Sequence, residues 1–127
     1  MLFFIIELDE ERIERDGIVN LQGAYKCIEA TFAQRNVTLY DQRGGVRIYT
    51  RNIDKHDFEY LWMVNSPLKK EPWFGYYVKQ WRFLIVDDDT GEIETDENLL
   101  EEWEIRYTKE DVLRDIEKMR CARENGG

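Results

Sequence analysis

The segment VTLYDQRGGVRIYTRN, residues 37–52, constrains the fold more than any other part of the chain. Two runs rich in β-branched and aromatic residues, Val37 to Asp41 and Val46 to Arg51, flank the pair Gly44-Gly45. Because glycine reaches the positive φ values that a tight turn requires, this arrangement predicts a β-hairpin. The rest of the fold has to be built around this antiparallel pair.

Short apolar runs alternate with amphipathic stretches along the rest of the chain. The runs LFFII and RFLIV are typical of strands that are buried on both faces. Apolar residues three and four apart predict a helix from Leu21 to about Arg35, with Asn20 as its N-cap. Pro72 at a first helical position predicts a helix whose turns continue to Gln80 or Trp81, and the capping pattern that begins at Thr108 predicts another. Helices interleaved with strands predict an α+β fold, a small mixed or antiparallel sheet of about four strands with helices packed on one face.

The sequence alone does not decide the secondary structure of two segments. DEERIERDG is either a turn or a short helix that ends at Gly17. In residues 55–65, Phe58, Leu61 and Trp62 share a helical face, but aromatic and apolar residues also alternate at every second position, as in a strand. We favour the helix for this segment and keep the strand as the alternative.

The chain has the size and composition of one domain. Its 127 residues, of which 43% are hydrophobic, are enough for one core. We expect a single globular domain over residues 1–120 and a frayed C-terminal tail over residues 121–127.

Several features predict a cytoplasmic protein. The start MLFFII lacks a positively charged region and acidic residues follow it at once, so a buried strand explains it better than a signal peptide. No apolar run approaches the roughly 18 residues of a membrane helix. Cys27 and Cys121 lie far apart and show no metal-binding or redox spacing, so we expect them to be reduced thiols.

The net charge of −9 is concentrated in one segment. Residues 87–104, DDDTGEIETDENLLEEWE, hold ten acidic residues and neither Lys nor Arg, whereas the remainder is close to neutral. This balance disfavours nucleic-acid binding, because phosphate contacts need basic side chains. We expect a polar turn at the start of the segment and then a short helix capped by Thr95, with these residues on its apolar face: Leu99, Leu100 and Trp103.

The sequence does not predict an enzyme, a metal site or a cofactor. His56 lies between Asp54 and Asp57, and an imidazole beside carboxylates can act as a general base. No serine or cysteine stands in a nucleophile motif, and there is no phosphate-binding glycine-rich loop. The acidic segment fits a calcium-binding loop in neither of two registers, because Gly and Glu fall at the wrong positions. An enzyme centred on His56 is therefore the third hypothesis.

Large aromatic residues are concentrated between Phe58 and Trp81. One face of this segment must belong to the core, but surplus exposed rings are typical of the centre of an interface, and core packing alone is the competing explanation. The leading hypothesis is a non-enzymatic module that binds a protein partner, which we expect to be basic, through these aromatic and acidic residues: Trp62, Trp73, Phe74, Tyr77, Trp81, Glu101, Glu102 and Glu104. We expect no membrane association, and either a monomer or a homodimer.

The predicted hairpin offers an alternative function. Arg47, Tyr49 and Arg51 alternate with other residues on its second strand, and Arg43 precedes the turn. Cationic and aromatic groups on a sheet face can hold a phosphate chain and stack bases, so the alternative is a nucleic-acid or nucleotide binder. The competing explanation is a solvated face whose arginines pair with carboxylates.

Three phrases carry a resemblance to a known group of proteins: FFIIELDEERI, RIYTRNIDKHDFEYLW and KKEPWFGYYVKQW. Together they resemble short acidic proteins encoded on mobile elements of Gram-positive gut bacteria, over roughly residues 2–81. That group has no established activity, so the resemblance transfers no site residue. It implies a bacterial cytosolic setting, an accessory gene, and interaction in preference to housekeeping catalysis.

Overall fold

The computed structural model describes residues 1–51 and 67–115. The open choice for residues 55–65, the candidates His56 and Trp62, and the tail 121–127 lie outside these residues. In chain order the described elements are β1 (Leu2–Leu8), α1 (Glu10–Asp16), α2 (Leu21–Ala33), β2 (Thr38–Arg43), β3 (Val46–Arg51), α3 (Pro72–Tyr77), β4 (Val78–Val86), β5 (Ile93–Asn98), α4 (Leu99–Glu102) and α5 (Lys109–Arg114).

The strands form one sheet in the order β2-β3-β1-β4-β5, and each of its four strand pairs is antiparallel. This architecture confirms the predicted α+β fold. The predicted hairpin is β2 and β3, with Gly44 at a φ of 60° in the turn. A bulge at Tyr40 shifts the register between Leu39 and Asp41.

Three of the helix ends that sequence signals predict are confirmed. Asn20 caps α2, since its Oδ1 atom accepts a hydrogen bond of 2.9 Å from the backbone N–H of Gly23. Gly17 ends α1 with a φ of 64°, which settles the choice between turn and helix there. Thr108 and Asp111 form the capping box of α5.

The fifth strand replaces part of the helix expected in the acidic segment. Thr95, the predicted cap, lies inside β5 opposite Ile85 of β4. The helix α4 begins later, and its cap is Asn98, whose Oδ1 atom accepts hydrogen bonds from the backbone N–H groups of Leu100 and Glu101. The prediction of a Thr95 cap is therefore wrong, because the free edge of β4 provides main-chain partners that local sequence does not reveal.

Side chains of β1 alternate between a buried and a half-buried face. The buried set is Leu2, Phe4, Ile6 and Leu8. Phe3 and Ile5 are half-buried on the opposite face. The expectation that this run is buried on both faces is wrong, since the helices that the structure describes cover the sheet on one side.

Ring contacts place these helices on the face that carries Phe4. The ring of Phe32 in α2 packs 5.6 Å from that of Phe4, centroid to centroid. Trp81 of β4 packs 4.9 Å from Phe74 of α3 and 5.2 Å from Trp103, which ends α4. In turn, α1 packs against α2 and α3, and α5 packs against α3. The core thus lies between one sheet face and the described helices.

Candidate protein-binding surface

Four of the aromatic candidates for a binding surface belong to the core. Trp73, Phe74, Tyr77 and Trp81 are each at most 1% exposed. The helix that begins at Pro72 is confirmed, but it ends at residue 77, so Trp81 lies on β4 and points to the helix-covered face. Their proposed role in contacting a partner is therefore wrong.

The hydroxyl of Tyr77 has a hydrogen-bond partner inside the fold, so the ring can be buried completely without leaving this group unpaired. Its hydroxyl donates a hydrogen bond of 2.9 Å to Oδ2 of Asp16. Burial raises the pKa of Tyr77 far above its usual value, and the hydrogen bond to Asp16 adds to the shift. Asp16 lies 61 residues from Tyr77 in the sequence, so no local pattern reveals this acceptor.

The arginines of β3 lie on the covered face of the sheet. In the register with β1, Arg47, Tyr49 and Arg51 stand opposite residues of the buried set, Tyr49 being opposite Phe4. Tyr49 is 0% exposed, so its ring is not available to stack on a base. Arg43 is the exposed member of the proposed basic face, and its guanidinium pairs with Asp41 at 2.9 Å.

Arg47 is held by two residues of α2. Its Nη1 atom lies 2.6 Å from Oε1 of Glu29, and its guanidinium carbon lies 3.8 Å from the ring centroid of Tyr25. The Tyr25 hydroxyl lies 3.3 Å from Oε2 of Glu10 and 3.4 Å from the carbonyl oxygen of Gly45. Arg47 therefore joins the hairpin to the helix layer. Its pairing with a carboxylate agrees with the competing explanation, but the face is covered by helices and not solvated.

The acidic side chains of the segment 87–104 include a group of exposed carboxylates. We call acidic surface the exposed carboxylates of β5, α4 and their flanks: Glu92, Glu94, Asp96, Glu101, Glu102 and Glu104. Because β5 is an edge strand and α4 follows it directly, these side chains are grouped along the β5 edge of the sheet.

A polar turn introduces the acidic surface, as predicted. Oδ1 of Asp87 accepts hydrogen bonds from the backbone N–H groups of Asp89 and Thr90, at 2.8 and 2.9 Å. These bonds hold the pKa of Asp87 below its usual value. Gly91 follows with a φ of 75°, which glycine adopts without strain.

One carboxylate of the acidic surface is paired with an arginine, and another lies beside a second carboxyl group. Arg82 of β4 makes two hydrogen bonds to Asp96, at 3.0 and 2.6 Å. In contrast, Glu97 faces Glu102, and burial together with the contact to that carboxylate raises the pKa of Glu97. Two carboxyl groups thus lie side by side at the junction of β5 and α4.

A second surface was missed by sequence reasoning. Tyr40 and Ile93 are 60% and 59% exposed, and both lie on the side of the sheet opposite the described helices. The run LFFII does not predict an exposed apolar face by itself, because a continuous apolar run fits a strand that is buried on both faces equally well.

Comparison with known proteins adds no further identification. The chain matches no protein-family model, no curated protein sequence and no solved structure. Among the described residues, no helix has both the length and the apolar composition needed to cross a bilayer. The same residues contain no group of three or more His, Cys, Asp or Glu side chains placed to hold a metal ion.

Proposed function

We propose that the chain is a non-enzymatic protein-interaction module that binds a basic partner through the acidic surface. The observation that carries this proposal is the exposure of Glu101, Glu102 and Glu104 beside the exposed acids of the edge strand β5. A surface of one charge sign attracts an oppositely charged partner and increases the rate of encounter.

The proximity of Glu97 and Glu102 is consistent with this proposal. The raised pKa of Glu97 means that its ionised form is disfavoured in the folded chain relative to an isolated glutamate. Local arrangements that oppose folding are typical of functional positions. A lysine or arginine of a partner, placed between the two carboxyl groups, would favour their ionised forms.

The resemblance of residues 2–81 to acidic proteins of mobile elements supports a bacterial lysate as the source in which to search for the partner. It implies a bacterial accessory protein whose partner is another bacterial protein. The aromatic candidates of the core add nothing to this proposal, and Trp62 lies outside the described residues.

Affinity capture with matched charge variants tests the proposal. The variant Glu101→Gln, Glu102→Gln and Glu104→Gln removes three charges from the acidic surface. A control variant removes three exposed charges from the helices α1 and α5 by the substitutions Glu11→Gln, Glu14→Gln and Glu110→Gln. Both variants have the same net charge, so a general charge effect cannot distinguish them.

We expect the unchanged chain to retain a partner from a lysate of a Gram-positive bacterium at low salt and to release it as the salt concentration rises. The first variant should lose the partner and the control variant should keep it. Equal retention by the two variants would show that the acidic surface is not the binding site.

A further inference from the structure

The sheet presents an apolar face that none of the described helices covers. In the registers of β1, Phe3 lies opposite Leu84, and Ile5 lies opposite Ile48. We call the uncovered face the side of the sheet that carries these half-buried or exposed apolar residues: Phe3, Ile5, Tyr40, Val46, Ile48, Leu84, Val86 and Ile93.

The two most exposed residues of the uncovered face mark its two margins. Tyr40 lies on the edge strand β2, and its ring packs against that of Phe3 with 5.2 Å between centroids. Ile93 lies on the opposite edge strand, β5, and stands opposite Val86. Exposed aromatic and aliphatic residues around an apolar centre are typical of a site for another protein.

The charges on the uncovered face favour a basic partner. The registers place two cations there, and each pairs with a carboxylate of the same face: Arg82 with Asp96, and Arg43 with Asp41. Glu92 and Glu94 are exposed on either side of Ile93, so the β5 margin carries excess negative charge. A second copy of the chain would present the same acidic margin, whereas a basic segment complements it.

We infer that the uncovered face is the docking site for an amphipathic, basic helix of the partner, with its apolar side on Ile5, Ile48 and Leu84 and its Lys and Arg side chains towards the β5 margin. The inference rests on the proposed function for the basic character of that partner. It adds the partner's secondary structure and a second, apolar contact surface.

The dimensions of the sheet suit a helix. The central strands β3, β1 and β4 are spaced by about 4.8 Å, so their apolar side chains form a band about 10 Å wide, close to the diameter of one helix. The seven residues of β1 extend over about 23 Å, which corresponds to about 15 helical residues.

A synthetic peptide of about 15 residues of Leu and Lys serves as the probe, with Leu at positions i, i+3, i+4 and i+7 on one helical face. A second peptide of identical composition has its Leu residues distributed around the helix. Calorimetry at low salt measures the affinity of the chain for each. We expect the first peptide to bind more tightly than the second, because both carry the same charge but only the first presents an apolar face.

Surface variants localise the binding. The double variant Tyr40→Ser with Ile93→Asn should weaken binding of the amphipathic peptide about ten-fold. The matched control, Leu39→Ser with Leu113→Ser, removes two apolar residues of comparable exposure outside the uncovered face and should leave the affinity unchanged. Exposed positions are chosen because substitutions there leave the core intact.

Three outcomes would overturn the inference. The two peptides could bind with equal affinity, or the two double variants could behave alike. Sedimentation could also show a dimer that Tyr40→Ser with Ile93→Asn converts to a monomer, in which case a second copy occupies the face. If the acidic-surface variant of the capture experiment still loses its partner under any of these outcomes, the proposed function stands and only the inferred helix site fails.

Discussion

The guanidinium of Arg47 lies on the ring of Tyr25, with 3.8 Å between the guanidinium carbon and the ring centroid. The same side chain pairs with Glu29 at 2.6 Å, and both partners belong to α2. Arg47 thus connects the second strand of the hairpin to the helix that covers it. A residue that the sequence placed on a candidate nucleic-acid surface is a structural link between two layers.

Replacing Arg47 by Ala should destabilise the protein by about 1–3 kcal/mol, because both the cation–π contact and the charged hydrogen bond are lost. Arg43→Ala is the matched control, since the Arg43 side chain is 80% exposed and its solvent-screened pair with Asp41 should contribute little to stability. Urea unfolding of both variants measures the two effects. Equal unfolding midpoints would contradict the structural role of Arg47.

The nucleic-acid alternative is tested with the same pair of variants. Arg47 is largely buried against α2, so we expect no retention of RNA or DNA by the unchanged chain on a filter at about 50 mM salt. Retention that Arg43→Ala abolishes would instead support the alternative function.

Asn98→Ala should cost about 0.5–2 kcal/mol, because the Asn98 side chain accepts hydrogen bonds from two backbone N–H groups at the start of α4. Thr95→Ala is the informative comparison, since Thr95 is the cap that sequence periodicity predicts. It lies within β5, and we expect a smaller effect there. Thermal unfolding measures the stability of both variants. A larger loss of stability for Thr95→Ala than for Asn98→Ala would contradict the assignment of Asn98 as the cap.

The features that sequence predicted correctly depend on neighbours within a few residues. Asn20, Gly17 and Thr108 act on backbone groups three or four positions away, and the Gly44-Gly45 turn joins adjacent strands. For such features the chain itself brings the interacting groups together, so residue type and spacing are sufficient information.

The features that sequence missed depend on distant partners. Trp81 lies on a strand, and not on the preceding helix, because β4 pairs with β1 from the other end of the chain. Ile93 to Asn98 form a strand because β4 offers them a free edge. For the same reason, the choice between core and interface for Trp73 and Tyr77 required knowledge of which helix faces which strand.

Gly75→Ala should destabilise the protein by about 1–3 kcal/mol, although Ala is the better helix former by about 1 kcal/mol. A Cβ atom at Gly75 would lie 2.8 Å from Cγ2 of Ile105 and would meet the ring of Tyr107. The Tyr107 hydroxyl donates to the carbonyl oxygen of Lys69, so this ring has little freedom to move away.

A double-mutant cycle with Tyr107→Ala identifies the cause. The cost of Gly75→Ala should be smaller when the ring of Tyr107 is absent, because part of the steric conflict is then removed. If Gly75→Ala destabilised the protein equally with and without the Tyr107 ring, contact with that ring would not be the reason that position 75 requires glycine.

Tyr49 should make the stability of the protein depend on pH in the alkaline range. Burial raises the pKa of Tyr49 from 10.0 to about 12, and the negative charge of Glu29 adds to the shift, whereas Arg47 opposes it. Above pH 10 the unfolded chain loses the tyrosine proton, whereas the folded chain retains it up to about pH 12, so a rising pH favours the unfolded state. The contribution is therefore complete below pH 10 and is lost as the pH rises from 10 through 12, by about 2–3 kcal/mol in total.

The variant Tyr49→Phe separates this effect from other alkaline titrations. The Tyr49 hydroxyl lies beside the Arg47 guanidinium but is buried without a well-formed hydrogen bond, so its removal should change stability at neutral pH by less than about 1 kcal/mol. Between pH 10 and 12 the unfolding free energy of Tyr49→Phe should fall less steeply than that of the unchanged chain. Tyr40→Phe, at a side chain that is 60% exposed, is the matched control and should follow the unchanged chain. If urea unfolding over this range gave the same slope for all three proteins, ionisation of Tyr49 would not be linked to folding.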